Sequence, residues 1–414
     1  MSGADIDGLF DPEIVQDPFD YYAQLRQSDP VHEVAPGTYL VSRMDLVHEV
    51  VADTARFSSR APGFLHLGDR SEAGLRPILP GAAQLDNDVP GIIATADPPD
   101  HERQRRVLAK HFTTASIRAM EPGFRGLVRD ALDRVGGDGR LEWMGGVAEP
   151  LPMLMVTRLL GLGDDAAPAL KRLGYAMVER IGGLVPEQRM QQLDVEGMAD
   201  MAPLLDAYAQ SRSGSDAYGD GVIATVAQAV EAGELDDVEA LGILTVLVAA
   251  GGESTTSLLG SAVRIIAERA DIQGQLRANR DLIPAFVEEV LRYDPPFRGH
   301  YRVATEDTVL ESTPIPAGSH LVLAWPAANR DEQVYDHPDD VRLDRPNARY
   351  HVGFGWGIHL CIGAPLARLE ARVAIEELFA ATRNVRNDGD GVTYHASLLV
   401  RRLEALPLVL DRAV

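Results

Sequence analysis

The only cysteine in 414 residues, Cys361, lies in a segment whose neighbours suit metal chemistry. Residues 354–368 read Phe-Gly-Trp-Gly-Ile-His-Leu-Cys-Ile-Gly-Ala-Pro-Leu-Ala-Arg. Gly363 and Pro365 predict a helix that opens just after the sulfur, because proline fits a first helical turn. Free amides at such a start carry positive potential, which favours thiolate over thiol. Thiolate is the form that binds metals. A second chemical segment is Ala250-Gly-Gly-Glu-Ser-Thr-Thr256. It sits inside a predicted helix, capped by Asp236 with Glu239 and carrying Ile243, Leu244, Leu247 and Val248 at helical spacing. Two interior glycines cost roughly 1 kcal/mol each relative to alanine, which a plain core helix does not explain. Glu253 beside Ser254 offers a carboxylate and a hydroxyl, a pair able to pass protons.

The elements around these segments divide the chain by pattern. The first sixty residues alternate in short apolar stretches, Thr38 to Val41 and Leu46 to Val51, suggesting a small sheet with helices between its strands. From about Asp100 to Val290 the pattern is helical. A Gly/Pro-rich stretch, Ala61 to Ile93, is long enough to be a functional loop. After Pro295 strands and turns take over, with a turn at Pro316 to Gly318 and a strand at His320 to Ala324. One helix follows Gly363, and Leu398 to Leu410 is expected to be extended. Neither repeats nor linkers interrupt this, so one helix-rich α+β domain over 1–414 is the expected architecture. The net charge of −23 disfavours nucleic acid and anionic membrane. The N-terminus lacks a basic start and an apolar core, and Leu241 to Ala250 is too short to span a bilayer, so a cytoplasmic protein is expected. A lone cysteine agrees with a reducing compartment.

Residues Phe354 to Arg368 resemble the haem-binding signature of the cytochrome P450 family at every position that signature fixes. The resemblance implies a mainly α fold with smaller sheets enclosing haem b, with Cys361 as axial ligand of the iron. Gly355 and Gly357 would let the backbone bend against the flat macrocycle, where a β-carbon would collide. Phe354 and Gly363 belong to the same cradle, and His359 matches the position that reaches a haem propionate. Asp97 to Arg106 resembles the family segment that crosses one haem edge, so His101 and Arg105 would pair with propionates, with Arg302 as a third candidate. Glu289 and Arg292 match the family's Glu-x-x-Arg pair, and Arg345 matches the arginine that completes a structural network with it. Gly251, Glu253 and Ser254 fall on the oxygen-activating motif, where the helix is expected to loosen into a groove for dioxygen. Serine stands here for the commoner threonine, which keeps the hydroxyl.

By the same resemblance the chain is a monooxygenase acting on a hydrophobic small molecule. The Ala61 to Ile93 loop, residues Gly174 to Leu184, and Leu247, Phe297, Arg298, His300 and Leu398 would line the pocket. Arg298 and His300 are its polar members and candidates for a polar or carboxylate group of the substrate. No flavin or nicotinamide domain is visible, so electrons would come from NAD(P)H through a separate ferredoxin reductase and ferredoxin. Arg103, Arg106 and Lys110 form the expected basic docking patch. Oxidative coupling or desaturation by the same oxidant stays open. Peroxide-driven oxidation is opposed by the Glu253-Ser254 pair, which peroxide users in the family tend to replace. A haem protein that only senses gas or carries electrons would need neither a proton relay nor a long lid loop.

Overall fold

The computed structural model describes residues 8–60, 91–182, 184, 186–389 and 391–413. Most of the expected Ala61 to Ile93 loop, residues 61–90, lies outside them.

A 32-residue helix, Asp237–Glu268, forms the middle of the fold. Its start is the predicted capping box: Glu239 N–H donates to Asp236 Oδ1 at 2.7 Å and Asp236 N–H to Glu239 Oε2 at 3.0 Å. Helices Pro150–Leu160, Ala167–Ile181 and Ala364–Ala381 pack around it. The helix is long and apolar enough to cross a membrane, yet Leu258, Leu259, Ala262, Val263 and Ile266 are buried in the main core with Trp143, Phe286 and Leu378. Trp143 Nε1 donates to the Leu259 carbonyl at 3.1 Å, which satisfies the indole where it is buried.

Five strands make the larger sheet, in the order Val31–Ala35, Thr38–Val41, His320–Ala324, Gly299–Ala304 and Phe57–Ser58. Thr38–Val41 and His320–Ala324 pair in parallel, Leu40 opposite Val322, and the other pairs are antiparallel. A second sheet sets Pro407–Arg412 between Arg140–Glu142 and Thr382–Asn387. Of the two early apolar stretches, Thr38–Val41 is a strand and Leu46 to Val51 is helical, part of Met44–Ala52. Met44, Val47 and Val51, with Leu46 and Val50, recur at helical spacing and bury one face.

Candidate functional site

The cysteine loop is built from positive backbone angles and short bonds. Gly355 has φ +73° and Gly357 φ +68°, conformations open to glycine at little cost. Cys361 N–H donates to the Phe354 carbonyl at 2.9 Å, closing the turn. The helix Ala364–Ala381 then begins with Gly363 as its cap and Pro365 in its first turn. Burial is the strongest influence on the Cys361 thiol and raises its pKa, while backbone amides of Gly363 and Ala364 and the charges of Arg105 and Arg368 pull it down. The helix-end effect expected from sequence is therefore present but outweighed. Full ionisation needs a coordinating cation. By surface area Cys361 is exposed, although burial dominates its titration. A sulfur on the wall of an internal cleft satisfies both. Among the described residues no group of three or more His, Cys, Asp and Glu could hold a metal. A metal at Cys361 would thus need ligands from outside the described residues to complete its coordination.

Near the sulfur the fold gathers positive and imidazole groups, and none of them is ion-paired with a carboxylate among the described residues. His101 is buried, and neither ring nitrogen has a hydrogen-bond partner among the described residues. Its ring centroid lies 4.2 Å from that of His359. Arg302 is 5% exposed, donates through Nη1 to the Tyr301 carbonyl, and has no hydrogen-bond partner for Nε among the described residues. Burial pushes its pKa down to about 10. Arg105 and Arg302 have no ion-pair partner among the described residues, and Arg105 feels the charge of Cys361. His359 is pushed down to about 3, by burial first and then by Arg302, His101, His300 and Arg105. Ser59 Oγ holds His359 Nε2 at 2.8 Å, and the Ser59 N–H donates to Asp97 at 2.8 Å. Buried cations that lack a counter-charge are costly unless a ligand supplies one. Two carboxylates, which haem carries, meet that demand, so these side chains fit the group.

The central helix departs from expectation. It runs unbroken through Gly251 and Gly252, without a loosened groove. A β-carbon on Gly251 would sit 2.6 Å from Val156 Cγ2, and one on Gly252 2.4 Å from Met153 Cε, so the glycines allow the Pro150–Leu160 helix to approach. Ser254 Oγ donates to the Ala250 carbonyl at 2.5 Å, a local bond that bends helices slightly. Ser254 is half-buried and Ala250 exposed, while Thr255 is buried. Leu247, Ala250, Gly251 and Ser254 recur at helical spacing and form one partly open stripe of the helix. Glu253 points elsewhere: its Oε1 accepts from Arg402 Nε at 2.9 Å, and Arg402 also reaches Glu149 at 3.1 Å. Burial raises the Glu253 pKa against the pull of Arg402.

Behind the cysteine loop, Glu289 and Arg292 are fully buried and paired at 2.8 Å. Arg345 Nε adds 2.9 Å and 3.1 Å bonds to the same carboxylate. Both arginines also bond loop carbonyls between Asn329 and Asp340. Neighbouring Glu288, which sequence reasoning passed over, holds Arg368 and His351. Its signal was available in the doubled glutamate and in Arg368 at the end of the cysteine segment.

Two charged expectations are corrected. Arg298 is buried and donates through Nη2 to the Val15 carbonyl, so it braces the N-terminal segment and that nitrogen is not free. Arg103 is tied to Glu239 at 2.5 Å and Asp100 at 2.8 Å, which leaves Arg106 and Lys110 as the exposed part of the expected patch. His300 accepts from Trp325 Nε1 at 2.9 Å, is pushed down to about 4 by burial and Arg302, and lies with the histidine-arginine cluster. Phe297 is half-buried against His300, its ring 5.1 Å away, and Leu398 is buried beside Leu399 and Val178. A surface cavity of about 500 Å³, lined by His111, Met120, Met155, Arg158 and Asp220, shares none of the residues above.

The family model described as Cytochrome P450 matches residues 224–381. The chain is 38% identical to Cytochrome P450 144 of Mycobacterium tuberculosis over 98% of its own length and 92% of the relative. It is 34% identical to Erythromycin C-12 hydroxylase of Saccharopolyspora erythraea over 90% and 88%. Among solved structures, CYP109E1 of Bacillus megaterium in complex with testosterone matches with a TM-score of 0.80 at 26% identity, covering 96% of this chain and 99% of that one.

Proposed function

The chain belongs to the cytochrome P450 family and is a monooxygenase of that family, and from there we propose that it is a single haem b domain oxidising a hydrophobic small molecule. Cys361 and the His101, Arg105, Arg302 and His359 cluster would hold the haem, which when bound would supply the activation of dioxygen. The carrying observation is that cluster: four buried or half-buried groups turned on one cleft, with unpaired nitrogens on His101 and Arg302.

The protein's own part in the chemistry is positional and electrostatic. Glu289, Arg292 and Arg345 fix the loop that carries Cys361. Phe354, Gly355 and Gly363 shape the cradle. Leu247, Ala250 and Gly251 keep water sparse along the open stripe, and Ser254 orders one water there. Glu253 brings protons once it leaves Arg402, and its raised pKa suits a carboxyl that must both gain and release a proton. Leu247, Phe297 and Leu398 give the substrate an apolar surface. A substrate of macrolide or steroid size accords with the names of two similar proteins. Electrons come from an NAD(P)H-dependent ferredoxin reductase and a ferredoxin, and the cytoplasm keeps Cys361 reduced.

The test is spectroscopic. The ferrous carbon monoxide complex should show the strongly red-shifted Soret band of thiolate ligation, and Cys361→Ala should abolish it. Persistence of that band in the variant would remove the ligand assignment. A panel of hydrophobic compounds, read by their effect on the ferric Soret band, then identifies the substrate class. For the relay, Ser254→Ala should divert reducing equivalents into hydrogen peroxide while haem content stays normal. If Thr255→Ala uncouples and Ser254→Ala does not, the hydroxyl belongs to Thr255.

A further inference from the structure

One carboxylate on the helix Ile283–Tyr293 braces the cysteine loop from behind. Glu288 is 3% exposed and accepts from Arg368 Nε at 2.7 Å and Nη2 at 2.9 Å, a forked contact. His351 Nε2 lies 3.2 Å from the same carboxylate. His351 Nδ1 accepts the Gly353 N–H at 3.0 Å, so the ring proton sits on Nε2 and is donated to Glu288. Beyond Glu288, the Arg368 guanidinium carbon lies 4.6 Å from the centre of the Phe354 ring, and the His351 ring is 6.0 Å from it. The Phe354 carbonyl in turn accepts the Cys361 N–H at 2.9 Å. Glu288 thus reaches both ends of the 351–354 turn and fixes a cation over the Phe354 ring, on the residue whose carbonyl holds the Cys361 amide.

We propose that Arg368 and Glu288 are positioning residues that set the reduction potential of the Cys361-ligated iron, Arg368 raising it and Glu288 holding it down. This rests on Cys361 being the ligand. Reduction adds negative charge on the cysteine side, and a fixed cation favours the state with more negative charge, whereas a fixed anion disfavours it. The aromatic ring between Arg368 and the loop keeps the two at constant separation, so the effect is a property of the fold and not of a mobile side chain.

The experiment is a spectroelectrochemical titration of the ferric/ferrous couple in the holoenzyme and three variants. Arg368→Met keeps apolar contact with Phe354 and removes the charge, and should move the potential to a more negative value. Glu288→Gln keeps the shape and should move it the other way. Arg368→Lys keeps the charge and should stay nearest to the unaltered enzyme. Opposite signs for the first two identify charge as the cause. Shifts of one sign, or none, overturn the proposal, because a merely structural brace would disturb the loop alike in both. If Glu288→Gln does not fold, the comparison of Arg368→Met with Arg368→Lys still decides: equal potentials overturn it. The red-shifted ferrous carbon monoxide band of the unaltered enzyme separates the two failures. Its absence would reject Cys361 ligation, and its presence with unmoved potentials would reject only the role of Arg368 and Glu288.

Discussion

Buried arginines occur in two settings here, and the contrast assigns them different work. Arg292 and Arg345 converge on Glu289 and donate to the carbonyls of Asn329, His337 and Asp340 among others, so that charge, counter-charge and hydrogen bonds all come from the chain. Arg302, Arg105 and the histidines beside them meet no carboxylate of that kind; Asp97 reaches Arg302 only as a charge at longer range. A buried pair that is complete serves the fold, whereas a buried cation left incomplete is a demand for an anion from outside. Burial alone would have ranked the two sets alike.

Breaking the complete network should have the largest effect. Glu289→Ala leaves two buried guanidinium groups unpaired, and loss of one partner from such a pair costs about 3–5 kcal/mol. Urea denaturation should show it whether or not haem is bound. Unchanged stability would deny Glu289 its structural role.

The incomplete cluster should respond in the reverse manner. Arg302→Ala removes an uncompensated cation, so the haem-free chain should resist urea as well as before, or better. Haem retention against a competing acceptor should fall by the worth of a charge-assisted bond, about 1.5–3 kcal/mol. If the haem-free chain weakened as much as Glu289→Ala, the division between the two settings would fail.

Acid sharpens the comparison, since only paired carboxylates are lost by protonation. Burial pushes Asp294 and Glu288 up, but Arg401, Arg264 and Ser261 around the first, and His351 and Arg368 around the second, outweigh it and hold both at about 2. Unfolded carboxyls titrate near about 4. A depressed folded value means stability that is complete above pH 4 and drains away as pH falls toward 2. Thermal melts across that range should show the decline, and Asp294→Asn should flatten part of it. A flat profile in the unaltered protein would contradict the pairing.

The smallest effect belongs to the central helix, where contact and not charge is at stake. Gly252→Ala meets the flexible tip of Met153, and the better helix propensity of alanine, about 1 kcal/mol, offsets much of the crowding. Gly251→Ala meets stiffer Val156 and should cost more, within the roughly 1–3 kcal/mol of overpacking. Chemical denaturation of both variants checks the order.

Much of the site was legible because its chemistry is local. Gly355, Gly357, Gly363 and Pro365 prescribe a turn and a helix start within ten residues of Cys361, and the capping box of the central helix lies within four. Spacing of that kind survives in the sequence, since backbone angles and first-turn amides answer to near neighbours. The resemblance of the cysteine segment carried the fold and cofactor with it. What a charge is paired with was decided elsewhere. Arg298 finds a carbonyl 283 residues away, Arg103 a carboxylate 136 away, Arg368 one 80 away, and Glu253 an arginine 149 away. Nothing beside these residues in the chain distinguishes the arginine that braces a loop from the one buried without a carboxylate against it. Only the folded arrangement does, because the free energy of a buried charge depends on which partners the tertiary structure brings within hydrogen-bond reach.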